Sequence, residues 1–265
     1  MRPVIDTHCH LDVAAFDTDR DAVLERARDA GVSVIVVPAI RPATFTHLTS
    51  LVTALVTSLK GRAPEVRVAL GIHPQIVHAL PDGERRTGDL AAALVAAAAI
   101  AVGECGLDGG SPDRAEQERL FRAQIAVARE VRLPLLVHVL RAHDIAPRIL
   151  AEERAHEVGG VLHSYSGGEE LVPIYADLGF AFSFAGPVTY TGSRRPVAAA
   201  RRVPAELLLA ETDAPDQAPE PHRGGRCEPA YVRAVVAGLA RARGTDEDAM
   251  ADLTTANARR ILALP

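Results

Sequence analysis

Hydrophobic residues along this chain gather in eight short, nearly continuous runs, at residues 4–8, 32–39, 66–72, 99–104, 134–139, 160–163, 179–184 and 207–211. Runs of this length, apolar on both faces, are the pattern of buried parallel strands. Between them the apolar positions recur at helical spacing. Within residues 19–30, Val23, Leu24 and Ala27 share one face, and Arg20, Glu25 and Arg28 turn away from it. Residues 114–131 repeat the pattern behind Ser111-Pro112-Asp113, which supplies a cap and a first-turn proline. The Ala-rich stretch 90–102 reads as a buried helix feeding a strand and is too short to span a bilayer. Two helices close the chain, 228–243 and 246–262, with Thr245 expected to cap the second.

Eight strands alternating with helices in 265 residues predict an α/β fold, a (β/α)8 TIM barrel formed as one domain over residues 1–265. Five of the runs end in a residue able to bind metal: IDTHCH, AVGECGLD, LLVHV, VLHS and LLLAETDAP supply His8, His10, Glu104, His138, His163 and Asp213. They come from strands one, four, five, six and eight. A doubly wound open sheet would gather ligands at a single switch point, whereas a closed barrel brings all five strand ends round one centre.

Alternate strand residues face the same side, so His8 and His10 can share one cation, with Asp213 completing the set from the neighbouring eighth strand. His138 and His163 would hold a second cation, with Glu104 bridging the two. Imidazole with carboxylate suits Zn, Mn, Co or Fe, and partly Mg. Two such ions about 3.5–4 Å apart activate a water for hydrolysis, and Asp213 is placed to take its proton.

Around this set, His73 ends the third strand and reaches the mouth, as a structural group or a substrate contact. Arg141, Arg223 and Arg226 are candidates for holding phosphate, and Tyr165 and Tyr190 for facing a base. The loop 214–226 is long enough to cover the mouth. Cys9 and Cys105 should pack as small apolar residues, and His47, His78 and His156 should lie on the surface.

Composition narrows the classes. A net charge of −5 provides no general attraction for nucleic acid, although bound cations reverse that sign locally. Aromatics at 4% do not suit a protein built on stacking. Three widely spaced cysteines make no disulfide framework and fit a reducing cytoplasm. The first residues run straight into a strand with no signal peptide, and Gly-rich phosphate loops of the Walker or Rossmann type are absent.

Taken in order, DTHCHLD, GIHP, VGECGLD, the fifth-strand His, HSYSG and ETDAP resemble the TatD family of metal-dependent hydrolases, from Ile5 to nearly the last residue. The segment His138-Val139-Leu140-Arg141-Ala142-His143-Asp144 is similar to the HxxRxHD pattern of one of its subgroups. The resemblance implies a (β/α)8 barrel of the amidohydrolase-like type with a dinuclear centre on the same six residues, Glu104 being shared, and His73 as a pocket histidine. It implies two divalent ions (Mg, Mn or Zn) and deoxyribonuclease activity of the 3′-to-5′ exonuclease type. Single-stranded DNA or 3′ ends would be the substrate, DNA repair the setting and a cytoplasmic monomer the form.

Three departures bear on substrate. Gly109 and Gly110 stand where the family commonly has an aromatic residue, Leu140 where an Arg is frequent, and Cys227 where an Asn would cap the next helix. They keep open hydrolysis of another ester or amide, such as a misacylated aminoacyl-tRNA, which an ester-substrate panel would reveal. A barrel retained only as a scaffold would be recognised by its failure to bind metal.

Overall fold

A computed structural model describes residues 1–59 and 61–264. Eight parallel strands pair in sequence order: β1 Val4–Asp6, β2 Val32–Ala39, β3 Glu65–Leu70, β4 Ala101–Asp108, β5 Leu135–Leu140, β6 Gly160–Leu162, β7 Phe180–Phe184 and β8 Leu208–Ala210. The ring closes where the Thr7 N–H reaches the Ala210 carbonyl at 3.3 Å and Cys9 bridges Ala214 in parallel. The fold is therefore the TIM barrel that the hydrophobic runs predict.

Helices α1 Arg20–Asp29, α2 Phe45–Leu59, α3 Leu90–Ala96, α4 Arg114–Val131, α5 Ala146–Glu152, α6 Val172–Asp177 and α7 Arg194–Arg202 connect the strands, and α8 Val232–Arg243 and α9 Glu247–Ile261 follow β8. Ile5, Val34, Val36, Ala69, Ala101, Leu136, Val161, Ala181 and Leu209 fill the barrel interior. Ala258 and Leu262 pack against them from the C-terminal segment. Apolar packing thus fills the lower barrel, and the polar groups collect at the opposite, C-terminal ends of the strands.

Several boundaries differ from the sequence expectation, each for a local reason. β1 stops at Asp6 rather than at residue 8, because the Asp6 carboxylate accepts from the N–H groups of His8 and Thr212 (3.3 and 2.9 Å) and turns the chain. β4 runs on to Asp108 instead of ending at residue 104. Its pairing with β5 slips between Val102 and Cys105, so Glu104 sits on a mid-strand irregularity rather than at a strand end. Gly103 permits this, since a Cβ there would lie 2.4 Å from the Leu136 carbonyl oxygen. The stretch 90–102 is not a buried helix throughout: α3 ends at Ala96, and Val95 is 74% exposed.

The caps also change. Asp246, not Thr245, caps α9, accepting from the N–H groups of Asp248 and Ala249 at 2.9 and 3.1 Å. At α4 neither Ser111 nor Asp113 caps. Buried Gln117 ties down the β4–α4 turn instead, accepting from the Asp108 N–H (2.8 Å) and donating to the Pro112 carbonyl (2.9 Å). Among the described residues no helix is long and apolar enough to cross a membrane.

Candidate metal centre

Glu104 is fully buried at the centre of the barrel mouth, and its two oxygens face different imidazoles. Oε2 lies 3.1 Å from Nε2 of His8 and 3.5 Å from Nε2 of His10. Oε1 lies 2.7 Å from Nε2 of His163, 2.7 Å from Nε2 of His73 and 3.0 Å from Nδ1 of His138. Asp213 Oδ1 completes the first side, 3.8 and 3.7 Å from Nε2 of His8 and His10. The six residues expected as ligands converge, although they come from five strand segments spread over more than two hundred positions of sequence.

The donor chemistry fits cations. Ring nitrogens of His8 and His10 approach to 3.3 Å, and those of His138 and His163 to 3.0 Å. Ring nitrogens this close can share a proton or, as paired donors, a positive ion. Glu104 Oε2 is buried without a hydrogen bond, although two imidazoles are near it. Ligand atoms of His8, His10 and Asp213, of His8, Glu104 and His163, and of His73, Glu104 and His138 each lie within 4.8 Å of one another. Nitrogen with carboxylate oxygen is the donor set of zinc, manganese and related divalent ions.

Electrostatics favour the charged carboxylate. Burial opposes ionisation of Glu104, but the fields of His73, His163 and His8 outweigh it and hold the carboxyl well below its usual range. Burial likewise opposes the charged form of His73 and lowers its pKa. Its Nδ1 accepts from the Gln75 N–H at 3.0 Å, so Nε2 carries the proton and donates to Glu104. His73 is therefore an orienting donor at this carboxylate rather than a lone-pair ligand, a role that the spacing alone left undecided.

Three acidic or amide groups around the centre escaped the sequence reading. Asp108 Oδ2 faces His138 Nε2 at 3.6 Å and accepts from the Gln75 amide at 2.7 Å. The nearby His138 ring and the hydrogen bonds from Gln75 and the Gly110 N–H hold the Asp108 carboxyl well below its usual range, in spite of burial. Glu211, fully buried, lies 3.5 Å from His163 Nδ1 and accepts from the Ser164 N–H at 2.5 Å. Carboxylates behind imidazoles in this manner fix ring orientation. Gln217 donates to Asp213 Oδ2. The period-two rule applied to His8 and His10 also pairs Glu211 with Asp213 and Glu104 with Asp108, so two of the three were within reach.

A family model described as TatD related DNase matches residues 5–263. The chain belongs to the TatD family. It is 34% identical over 264 residues to YabD of Bacillus subtilis, named as an uncharacterized metal-dependent hydrolase, covering 98% of this chain and 99% of that one. It is 30% identical over 277 residues to a Pectobacterium parmentieri protein named as the 3′-5′ ssDNA/RNA exonuclease TatD, with 98% and 100% covered. The crystal structure of YjjV, a TatD homologue from Escherichia coli, superposes with a TM-score of 0.87 at 31% identity, over 99% of this chain and 98% of that one.

In this TatD-family barrel the expected substrate contacts are not brought together as the expected ligands are. Arg141 is exposed, just past the end of β5, with a left-handed backbone (φ 50°). Gly109 makes room for it, since a Cβ there would lie 2.2 Å from the Arg141 carbonyl oxygen. An aromatic residue at 109 is thus excluded by backbone contact. Tyr165 is held among its neighbours: it is 4% exposed, donates to the Gly168 carbonyl at 2.9 Å and packs edge-on against Phe182, while lining a cleft beside Ser164 and Gln217.

Arg226 is likewise engaged elsewhere. Its guanidinium bonds both oxygens of Asp19 at 2.8 Å and Glu228 at 2.8 Å, and lies over the Phe16 ring. These bonds leave it no free fork to offer phosphate. Arg223 covers the Tyr190 ring at 4.2 Å. Cys227 is buried against the Thr212 carbonyl instead of capping the next helix. Cys9 and Cys105 are buried as expected, and His47, His78 and His156 are exposed. The HxxRxHD segment divides: His143 turns inward to the Tyr175 hydroxyl at 2.9 Å, and Asp144 stays exposed.

Proposed function

We propose that this TatD-family chain is a two-metal hydrolase of nucleic acid phosphodiester bonds, trimming single-stranded DNA from its 3′ end in DNA repair or nucleic-acid turnover. The observation that carries the reading is the division of Glu104, with one oxygen toward His8 and His10 and the other toward His138 and His163. His8, His10 and Asp213 would hold one ion, His138 and His163 the other, and Glu104 both. Mg²⁺, Mn²⁺ and Zn²⁺ are the candidate ions, and when bound they supply a low-pKa water and neutralise phosphate charge.

The chain's own residues would do the rest. Asp213 accepts the proton of the attacking water. His73, whose Nε2–H donates to Glu104, would hold that carboxylate in orientation. Arg141 offers an exposed guanidinium at the rim, where its fork matches phosphate. A cleft of about 200 Å³ beside Ser164 and Gln217, lined also by Ser166, Phe184, Val188 and Ser193, leaves room for part of the chain being cut. The relative named as a 3′-5′ ssDNA/RNA exonuclease supports the substrate class and polarity.

A second reading keeps the centre and changes the bond to an ester or amide, as in a misacylated aminoacyl-tRNA. Gly109 and Gly110 favour keeping it, because they present no ring for a base to stack on. Both readings meet one assay. With Mn²⁺ or Mg²⁺, a 5′-labelled single-stranded oligonucleotide should shorten stepwise from its 3′ end. Cleavage no greater than that of Asp213→Asn removes the nuclease, and deacylation of aminoacyl-tRNA by the same preparation would establish the alternative.

A further inference from the structure

The carboxylate of Asp213 has two oxygens and, on its own, no reason to prefer one orientation. In the structure the choice is made by groups outside the ligand set. Oδ1 faces His8 and His10, while Oδ2 accepts a hydrogen bond from Nε2 of Gln217. We propose that Gln217 is a positioning residue, whose amide occupies one Asp213 oxygen and so fixes the carboxylate with its other oxygen alone facing the His8–His10 pair. The inference rests on the reading of Asp213 as a metal ligand and proton acceptor.

The amide of Gln217 is itself held. The Ser164 hydroxyl donates to its Oε1 at 3.0 Å and accepts from its Nε2 at 2.8 Å, so both ends of the amide are fixed by one neighbour. Ser164 is anchored in turn, its N–H donating to Glu211 Oε1, which faces Nδ1 of His163. A path of hydrogen bonds thus runs from Asp213 through Gln217 and Ser164 to Glu211, which faces His163 at 3.5 Å, and it connects the surroundings of one expected ligand on each side of Glu104. Asp213, Ser164 and Gln217 all adopt left-handed backbone conformations, with φ of 55°, 41° and 53°. That conformation is uncommon for residues other than glycine, and here it recurs at three members of one path.

The chemical consequence is specific. A carboxylate with one oxygen bound to an amide N–H is steered toward coordinating a cation through the other oxygen alone. The bonded oxygen keeps a further lone pair for a proton. Without the amide the carboxylate could rotate or chelate through both oxygens, and the geometry for proton transfer would be lost. Gln217 is in the Pro-rich loop after β8, which gives that loop a role at the centre beyond covering the mouth.

Gln217→Leu, Ser164→Ala and the double variant test this, with Asp213→Asn as reference. Each metal-free protein is titrated with Mn²⁺ by calorimetry, and kcat and KM are measured on the labelled oligonucleotide. Gln217→Leu should weaken one of the two Mn²⁺ sites about tenfold and lower kcat about tenfold with KM little changed, the scale of outer-shell effects on metal sites. Ser164→Ala should move the same quantities in the same direction by about threefold, and the double variant should be no worse than Gln217→Leu, because the two act in series.

A folded Gln217→Leu with wild-type Mn²⁺ affinity and kcat overturns the proposal, as do effects that multiply in the double variant. If Gln217→Leu loses its native circular dichroism, Ser164→Ala decides: a wild-type Mn²⁺ titration and kcat there overturn it too. Unaltered Mn²⁺ binding by Asp213→Asn removes the ligand assignment and this proposal with it. Weakened binding there beside a silent Gln217→Leu removes this proposal alone.

Discussion

Replacing Glu104 with Gln is expected to lower kcat about a thousandfold or more, equivalent to about 4 kcal/mol in the activation barrier. The substitution keeps shape and volume, so packing is not the cause. It removes the negative charge to which five imidazoles turn, and it puts an NH₂ group where one carboxylate oxygen was. An amide can offer a lone pair to one side only. Facing His8 and His10, its NH₂ would repel a cation there; facing His138, His163 and His73, it would do the same on the other side and clash with the His73 N–H. Either orientation dismantles one half of the centre. Steady-state kinetics at saturating Mn²⁺ on the labelled oligonucleotide check the size of the loss, and a loss below about tenfold would mean that Glu104 does not bridge.

Asp213→Asn is expected to lower kcat about 10²- to 10⁴-fold, the usual contribution of a positioned proton acceptor. KM should change little, because Asp213 is not among the groups assigned to phosphate. The side chain is partly exposed at the mouth and its neighbours are polar, so the variant should melt close to wild type. The comparison with Glu104→Gln is informative. Loss of the bridge should weaken binding of both ions, whereas loss of Asp213 should weaken chiefly the ion held with His8 and His10. Kinetics paired with a thermal melt separate this from unfolding, and an Asp213→Asn enzyme with wild-type kcat would assign the proton to another group.

The fold was legible because each strand is a compact apolar run with its helix behind it, and eight such units leave few alternatives to a closed ring. The six converging residues were legible because each follows or closes an apolar run on the side of the barrel mouth. What escaped detection depended on contacts distant in sequence. Glu104 lies on a bulge rather than at a strand end, a consequence of slipped pairing with β5 that no local pattern encodes. Gln217 is in a Pro-rich loop with no periodicity, and its partners Ser164 and Asp213 come from two different strand ends.

Arg226 and Tyr165 show the opposite error. Each is a residue type that can serve substrate or structure, and the deciding neighbours were not adjacent in the chain. Asp19, 207 residues away, takes the guanidinium of Arg226, and the packed ring of Phe182 takes Tyr165. Arg141 differs in that its side chain stays exposed just past β5. Residues whose chemistry is shared between roles are located by their partners, whereas the expected ligands are brought together by the barrel itself.

The most direct test is the number of metal ions bound per chain, measured by elemental analysis of protein reconstituted with Mn²⁺ or Zn²⁺ and followed alongside activity. The account predicts that hydrolysis reaches its plateau at two equivalents, and that Glu104→Gln retains at most one. A plateau at one equivalent, or a Glu104→Gln protein that still holds two, would contradict it.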